Sequence, residues 1–151
     1  MKVKDIMSKD PTVVPISGTF LNLMEKLGKI SFHIIFVVDK DEKLAGVVTE
    51  TDLLKVLMPK YLNTGDALFS VMGEDYFDKR CHDCKDLSIT EIMSKPVMSA
   101  TAKEDDTIVK VAAALLNKKI HAVPVLRDGK VIGIVSRLIL LRYMTKVIHK
   151  G

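Results

Sequence analysis

The chain has 151 residues, 48% hydrophobic and 28% charged, with a formal net charge of +4. That length suits one domain or two small ones, and the apolar content sustains a core, which excludes disorder as the main state. No apolar run approaches the ~20 residues of a membrane helix, the opening MKVKDIMSKDP has no signal-peptide core, two cysteines make no disulfide scaffold, and charges of alternating sign leave no basic stripe for nucleic acid.

Met7 is expected to open a short turn or helix, and Thr12-Val13-Val14 reads as a short strand. From Thr19, apolar residues at Phe20, Leu23, Met24 and Leu27 have the spacing of an amphipathic helix, with Gly28 as its stop. Ile34 to Val38 is an unbroken apolar run, read as a buried strand. Asp39 to Glu42 is a turn, Leu44 to Val48 the next strand, and Thr49 to Met58 a helix broken by Pro59. The stretch 59–87 is long for a structureless loop and holds Tyr61, Phe69, Tyr76 and Phe77. Within it, Asp66 to Met72 has helical spacing ended by Gly73. A helical insert packed on the rest of the protein or on a dimer mate, or an element that binds a partner or gates a ligand, both fit. Further on, Val97-Met98-Ser99 reads as a strand and Thr107 to Asn117 as a helix. Val123-Pro124-Val125 and Val131 to Val135 follow as strands, then a helix from Arg137 to Lys146 with a frayed basic tail.

The chain is written twice. Ile6-Met7-Ser8-Lys9 recurs as Ile92-Met93-Ser94-Lys95, and Lys43 to Thr49 recurs as Lys130 to Ser136. Thr19 and His33 recur as Thr107 and His121. Each unit runs strand-helix-strand-strand-helix, an α/β (α+β) pattern. A unit of this size is marginal alone, so two copies are expected to bury their apolar faces against each other.

The segment Gly46-x-x-Thr49-x-x-Asp52 carries the chemistry. Thr49 can cap the following helix and Asp52 can close a capping box. The same geometry suits a ligand. A helix start attracts phosphate, and a carboxylate one turn in can accept hydrogen bonds from both hydroxyls of a ribose. Gly46 allows close approach of a ligand or of another strand.

The doubled, co-spaced set of Ile-Met-Ser and Gly-x-x-Thr/Ser motifs resembles a tandem pair of CBS domains, a Bateman module. The resemblance covers residues 1–58 and 88–146 and implies a pseudo-twofold pair of repeats with two clefts between them. It divides the chain into repeat one (1–58), the insert (59–87) and repeat two (88–151). Such modules commonly bind AMP, ADP, ATP or S-adenosylmethionine, form homodimers and regulate a partner protein. By the same resemblance Asp52 holds the ribose diol, Thr49 lies at phosphate or ribose, and Val47 and Thr51 line that wall. The opposite wall is Val97, Met98 and Ser99 with Ile120, His121 and Ala122. His121 is placed either to reach phosphate or as a strand-edge histidine. In repeat two Ser136 keeps the cap, but Ile139 stands where the aspartate belongs and is expected to bury against the sheet. The second cleft, walled by Ser136, Arg137, Thr12, Val13, Phe32, His33 and Ile34, is therefore expected to be degenerate. Arg137 is read there as a phosphate contact or a solvated charge.

Cys81-His82-Asp83-Cys84 offers a second chemistry: one edge of a zinc site, a redox dithiol, or two reduced surface cysteines in a polar loop. No phosphate loop, nucleophile elbow or His-Glu-x-x-His is present, so no catalytic set is expected. The leading expectation is a cytoplasmic regulatory module that binds an adenosine compound and acts on a protein encoded elsewhere. A metal or thiol sensor through Cys81 and Cys84, or a structural oligomerisation module with a vestigial cleft, stands beside it.

Overall fold

The computed structural model describes residues 1–28, 33–58 and 74–151. Its elements are α1 (Val3–Ile6), β1 (Val13–Pro15), α2 (Phe20–Leu27), β2 (Ile34–Val38), β3 (Leu44–Thr49), α3 (Glu50–Val56) and α4 (Glu74–Asp83), followed by β4 (Ala102–Lys103), α5 (Ile108–Leu115), β5 (Ala122–Arg127), β6 (Lys130–Ser136) and α6 (Arg137–Lys150). Ile89–Glu91 and Met98–Ala100 are single 3-10 turns. The expected helix at 66–72 lies outside the described residues, as does Phe32.

Each repeat builds one three-stranded sheet, β1-β2-β3 and β4-β5-β6. The first pair of each is parallel and the second antiparallel. A parallel pair needs a crossover, which α2 and α5 supply. The β5–β6 connection is a two-residue turn with Asp128 and Gly129 at φ of 53° and 81°, the backbone that an Asp-Gly hairpin favours.

Alternation along the strands divides the core into three layers. Val14, Ile35, Val37 and Val48 face Phe20, Leu23, Leu53 and Val56 of α2 and α3. Val123, Val125 and Val135 face Val111 and Leu115 of α5. Ile34 and Phe36 turn the other way and meet Ala122 and Ile134, so the two sheets pack face to face. β2 is buried on both faces, which accounts for its unbroken apolar run.

The two halves exchange their leading segments. α1 docks on repeat two: Val3 joins the second core, its N–H donates to Asp106 O (3.0 Å), and Lys4 N–H donates to Glu104 O (3.0 Å). Ile89 and Ile92 join the first core. Ser8 and Ile134 exchange backbone hydrogen bonds of 2.9 and 3.0 Å, and Ser94 and Val47 exchange two of 2.9 Å. The repeated Ile-Met-Ser motif is thus a strap laid across the sheet of the opposite repeat. Its methionines explain the glycines. A methyl at Gly133 would stand 2.6 Å from Met7 Sδ and 3.0 Å from Ser8 O, and one at Gly46 would run into the Met93 side chain. Gly133→Ala is expected to cost about 1–3 kcal/mol through overpacking. Urea denaturation checks this, and an unchanged midpoint would mean the strap lifts freely.

Several local expectations are corrected. The first helix ends before Met7 rather than opening there. Gly28 sits at the end of α2 with φ of −68°, so no left-handed stop is involved. α3 ends at Val56, two residues before the expected Met58. Val97-Met98-Ser99 is not a strand. Val97 and Met98 are 53% and 68% exposed, and the strand lies further on at Ala102–Lys103. Ala102 stands opposite Val125 as Val14 stands opposite Val37, and the span from Ser94 to Ala102 is two residues longer than that from Ser8 to Val14. The basic tail is not frayed, since α6 runs unbroken to Lys150.

Candidate functional site

The site grows from the β3–α3 junction. Thr49 leaves β3 in an extended conformation and caps α3. Its Oγ1 accepts the N–H of Asp52 (3.4 Å), while Asp52 Oδ2 accepts both the N–H (2.9 Å) and the hydroxyl (3.1 Å) of Thr49. Local capping therefore fixes the aspartate's rotamer and uses one of its oxygens. The other, Oδ1, accepts the hydroxyl of Ser94 (3.2 Å), delivered from repeat two's end of the chain by the strap. The Asp52 N–H at this helix start is already taken by the protein itself, so it is not open to a phosphate.

Asp52 and Ser94 line a cavity of about 370 Å³ between the repeats, within the ~300–1,000 Å³ of small-molecule sites. Of the expected residues, Val47, Thr49, Thr51, Asp52, Val97, Ile120, His121 and Ala122 line it. Met98 and Ser99 do not; both are exposed on the 3-10 turn, whose last residue, Ala100, is the one that turns inward. The sequence reading missed Ile34, Pro124, Ala100 and Thr101, and also Ser94, Lys95, Lys55 and Lys119. Ser94 and Lys95 carried a signal, since both belong to the repeated Ile-Met-Ser-Lys motif. The result is a pocket with apolar walls from both sheets, one oriented carboxylate and a lysine rim. It can sandwich a flat apolar group and accept hydroxyl protons at Asp52.

A second cavity of about 490 Å³ lies on the other side of the pseudo-twofold axis. His33, Ile34, Ser136 and Arg137 line it as expected, together with Ser8, His121, Ala122, Leu138, Ile139 and Arg142. Thr12 and Val13 do not: Thr12 O accepts the Phe36 N–H (2.9 Å), and Val13 packs on the cluster between the sheets. Ser136 Oγ accepts the Ile139 N–H (3.2 Å), while Ile139 is half-buried against the second core. No carboxylate lines this cavity among the described residues. Arg137 is exposed at this cavity, and its guanidinium is also tied to the protein. Its guanidinium donates to Leu115 O (3.1 Å) and Asn117 O (2.9 Å), closing the end of α5. His33 pairs with Glu50 at 3.0 Å, both exposed, whereas His121 borders both cavities.

The cysteine segment is helical rather than a polar loop. Cys81 lies on α4, and Cys84, just past its end, is 3% exposed in the first core. Burial removes Cys84 from the surface that a shared zinc site or an accessible dithiol requires. Among the described residues no three His, Cys, Asp or Glu side chains gather to hold a metal. α4 instead closes the end of α3: Arg80 Nε donates to Val56 O (3.0 Å) and Tyr76 Oη to Leu57 O (3.3 Å). No helix among the described residues is long and apolar enough to cross a membrane.

The CBS-domain family model matches residues 3–59 and 89–146. An uncharacterized protein of Methanocaldococcus jannaschii is 30% identical over 151 residues, covering 97% of this chain and 58% of that protein. The chain thus spans little more than half of that relative. A CBS domain-containing protein of Dictyostelium discoideum is 30% identical over 150 residues, covering 97% of this chain and 93% of its own length. Among solved structures, the CBS domain pair of protein MJ0100 in complex with 5′-methylthioadenosine and S-adenosyl-L-methionine has a TM-score of 0.70 at 27% identity, covering 97% of this chain and 98% of that one.

Proposed function

The chain belongs to the CBS-domain family, and from that premise we propose that it is a regulatory module which binds an adenosine-containing compound in the first cavity. The observation that carries this reading is Asp52: its own capping box orients it, and Oδ1, held only by the exchangeable Ser94 hydroxyl, lies on a cavity walled by both repeats. A ribose diol donates to that oxygen, and adenine lies between the apolar side chains of Ile34, Val47, Ile120 and Ala122. The complex of the MJ0100 pair with adenosine compounds supports the assignment. Repeat two, lacking the carboxylate at Ile139, offers no equivalent diol site.

A thermal-shift panel with AMP, ADP, ATP and S-adenosylmethionine tests the proposal. A ligand that binds only the folded state stabilises it by about 2.7 kcal/mol at a hundredfold excess over Kd, or roughly 5–10 °C for a chain of this length. No shift with any of them at millimolar concentration would overturn it.

Occupancy is transmitted through Ser94. The diol competes with the Ser94 hydroxyl for Oδ1, and Ser94 sits on the strap that pairs with Val47. A ligand that favours the released strap shifts the population of the two arrangements. Ser94→Ala removes the competitor and is expected to tighten binding roughly ten- to a hundredfold, the worth of one hydrogen bond to a charged acceptor. Weaker binding in calorimetry would show that Ser94 holds the ligand rather than competing with it.

We divide the chain into repeat one (1–58), the insert (59–87) and repeat two (88–151), and place a homodimer interface on the helices. α2 and α3 expose Leu21, Met24 and Leu54, and the helices of repeat two expose Val109, Leu138 and Leu141. Apolar patches of this kind mark interaction surfaces. Light scattering is expected to give twice the chain mass, and Leu138→Asp with Leu141→Asp is expected to halve it. A monomeric wild type would contradict the assignment.

A further inference from the structure

The first cavity carries three lysines. Lys55, Lys95 and Lys119 line it, and among the described residues Asp52 is the one carboxylate set against them. Both oxygens of that carboxylate are engaged by Thr49 and Ser94. None of the three lysines is held in an ion pair among the described residues. They come from three separate places in the chain: the last turn of α3, the strap after Ser94 and the turn before β5. Among the described residues the cavity thus carries an excess of positive charge.

Resting on the adenosine reading above, we propose that the physiological ligand of this cavity is an anionic adenosine nucleotide, ADP or ATP, and not a sulfonium or uncharged adenosine compound. With the ribose at Asp52 and the base between the sheets, the 5′ substituent emerges toward the lysine rim. A polyphosphate brings several negative charges there. S-adenosylmethionine brings a sulfonium and an ammonium against one carboxylate, so its net positive charge meets three like charges. 5′-Methylthioadenosine is neutral and gains nothing from the rim. The chain therefore departs from the MJ0100 pair in ligand class while keeping its fold. Interactions at an open rim are screened within a Debye length of about 10 Å at 0.1 M salt, so the preference is a function of ionic strength.

Calorimetric titration of the full chain with ATP, 5′-methylthioadenosine and S-adenosylmethionine, without added divalent cation, tests this. ATP is expected to bind at least tenfold tighter than 5′-methylthioadenosine, with S-adenosylmethionine weakest. Raising NaCl from 50 to 500 mM is expected to shrink the ATP advantage several-fold and leave 5′-methylthioadenosine within twofold. The variant carrying Lys55→Gln, Lys95→Gln and Lys119→Gln, all at exposed positions, is expected to keep its melting temperature and 5′-methylthioadenosine affinity while losing the preference for ATP. Equal or tighter binding of 5′-methylthioadenosine or S-adenosylmethionine would overturn the charge selection and leave the adenosine site standing. Equal loss of ATP and 5′-methylthioadenosine in the variant would likewise overturn it. Binding of none of the three would overturn both this inference and the reading on which it rests.

Discussion

Phe36→Ala is expected to lower the unfolding free energy by about 3–5 kcal/mol, the range for truncating a fully buried phenylalanine. Phe36 is 0% exposed at the centre of the layer that joins the two sheets. Its neighbours there, Ile34, Ala122 and Ile134, sit on strands whose other face is already committed to a helical layer. Backbone ladders pin β2 on both sides, to β1 through Val13 and to β3 through Val47. The strands cannot move in to fill the void, so the cavity term adds to the lost transfer energy. For a chain of this length the melting temperature falls by roughly 6–20 °C. Differential scanning calorimetry measures it, and a fall below about 2 °C would show that the repeats are not held together through this layer.

Asp52→Ala is expected to weaken binding of an adenosine compound by at least tenfold, because the diol's hydrogen bonds are partly offset by the Ser94 hydrogen bond they displace. Hydrogen bonds to a charged acceptor contribute about 1.5–3 kcal/mol each, and a diol makes two. The variant also loses a helix cap, which costs about 0.5–2 kcal/mol in the unliganded protein. The two effects separate cleanly, because the cap appears in the melting temperature without ligand and the diol only in the titration. Unchanged affinity would place the ribose elsewhere.

Much of this architecture could be read from the residues, for physical reasons. The strand run Ile34 to Val38 announces a strand buried on both faces, and Thr49 and Asp52 announce a cap because helix starts have few chemical solutions. The repeat predicts two sheets facing each other. What could not be read is contact between distant segments. Nothing local to Met7 or Met93 says that each covers a glycine of the other repeat. Nor does Arg137 reveal that its partners are the carbonyls of Leu115, the last residue of α5, and of Asn117 just beyond it. Cys84 looked like a surface thiol because its neighbours are polar, yet helical spacing turns it into the core. Val97 and Met98 misled because apolar side chains after a proline resemble a strand start, while the true register is set by Val125 across the sheet.

The central claim is that Asp52 reads a ribose diol, and paired titrations of ADP and 2′,3′-dideoxy-ADP test it most directly. The wild type is expected to bind ADP at least tenfold tighter than the dideoxy analogue, while Asp52→Ala binds the two equally. Equal affinity in the wild type, or the same discrimination in Asp52→Ala, would contradict it.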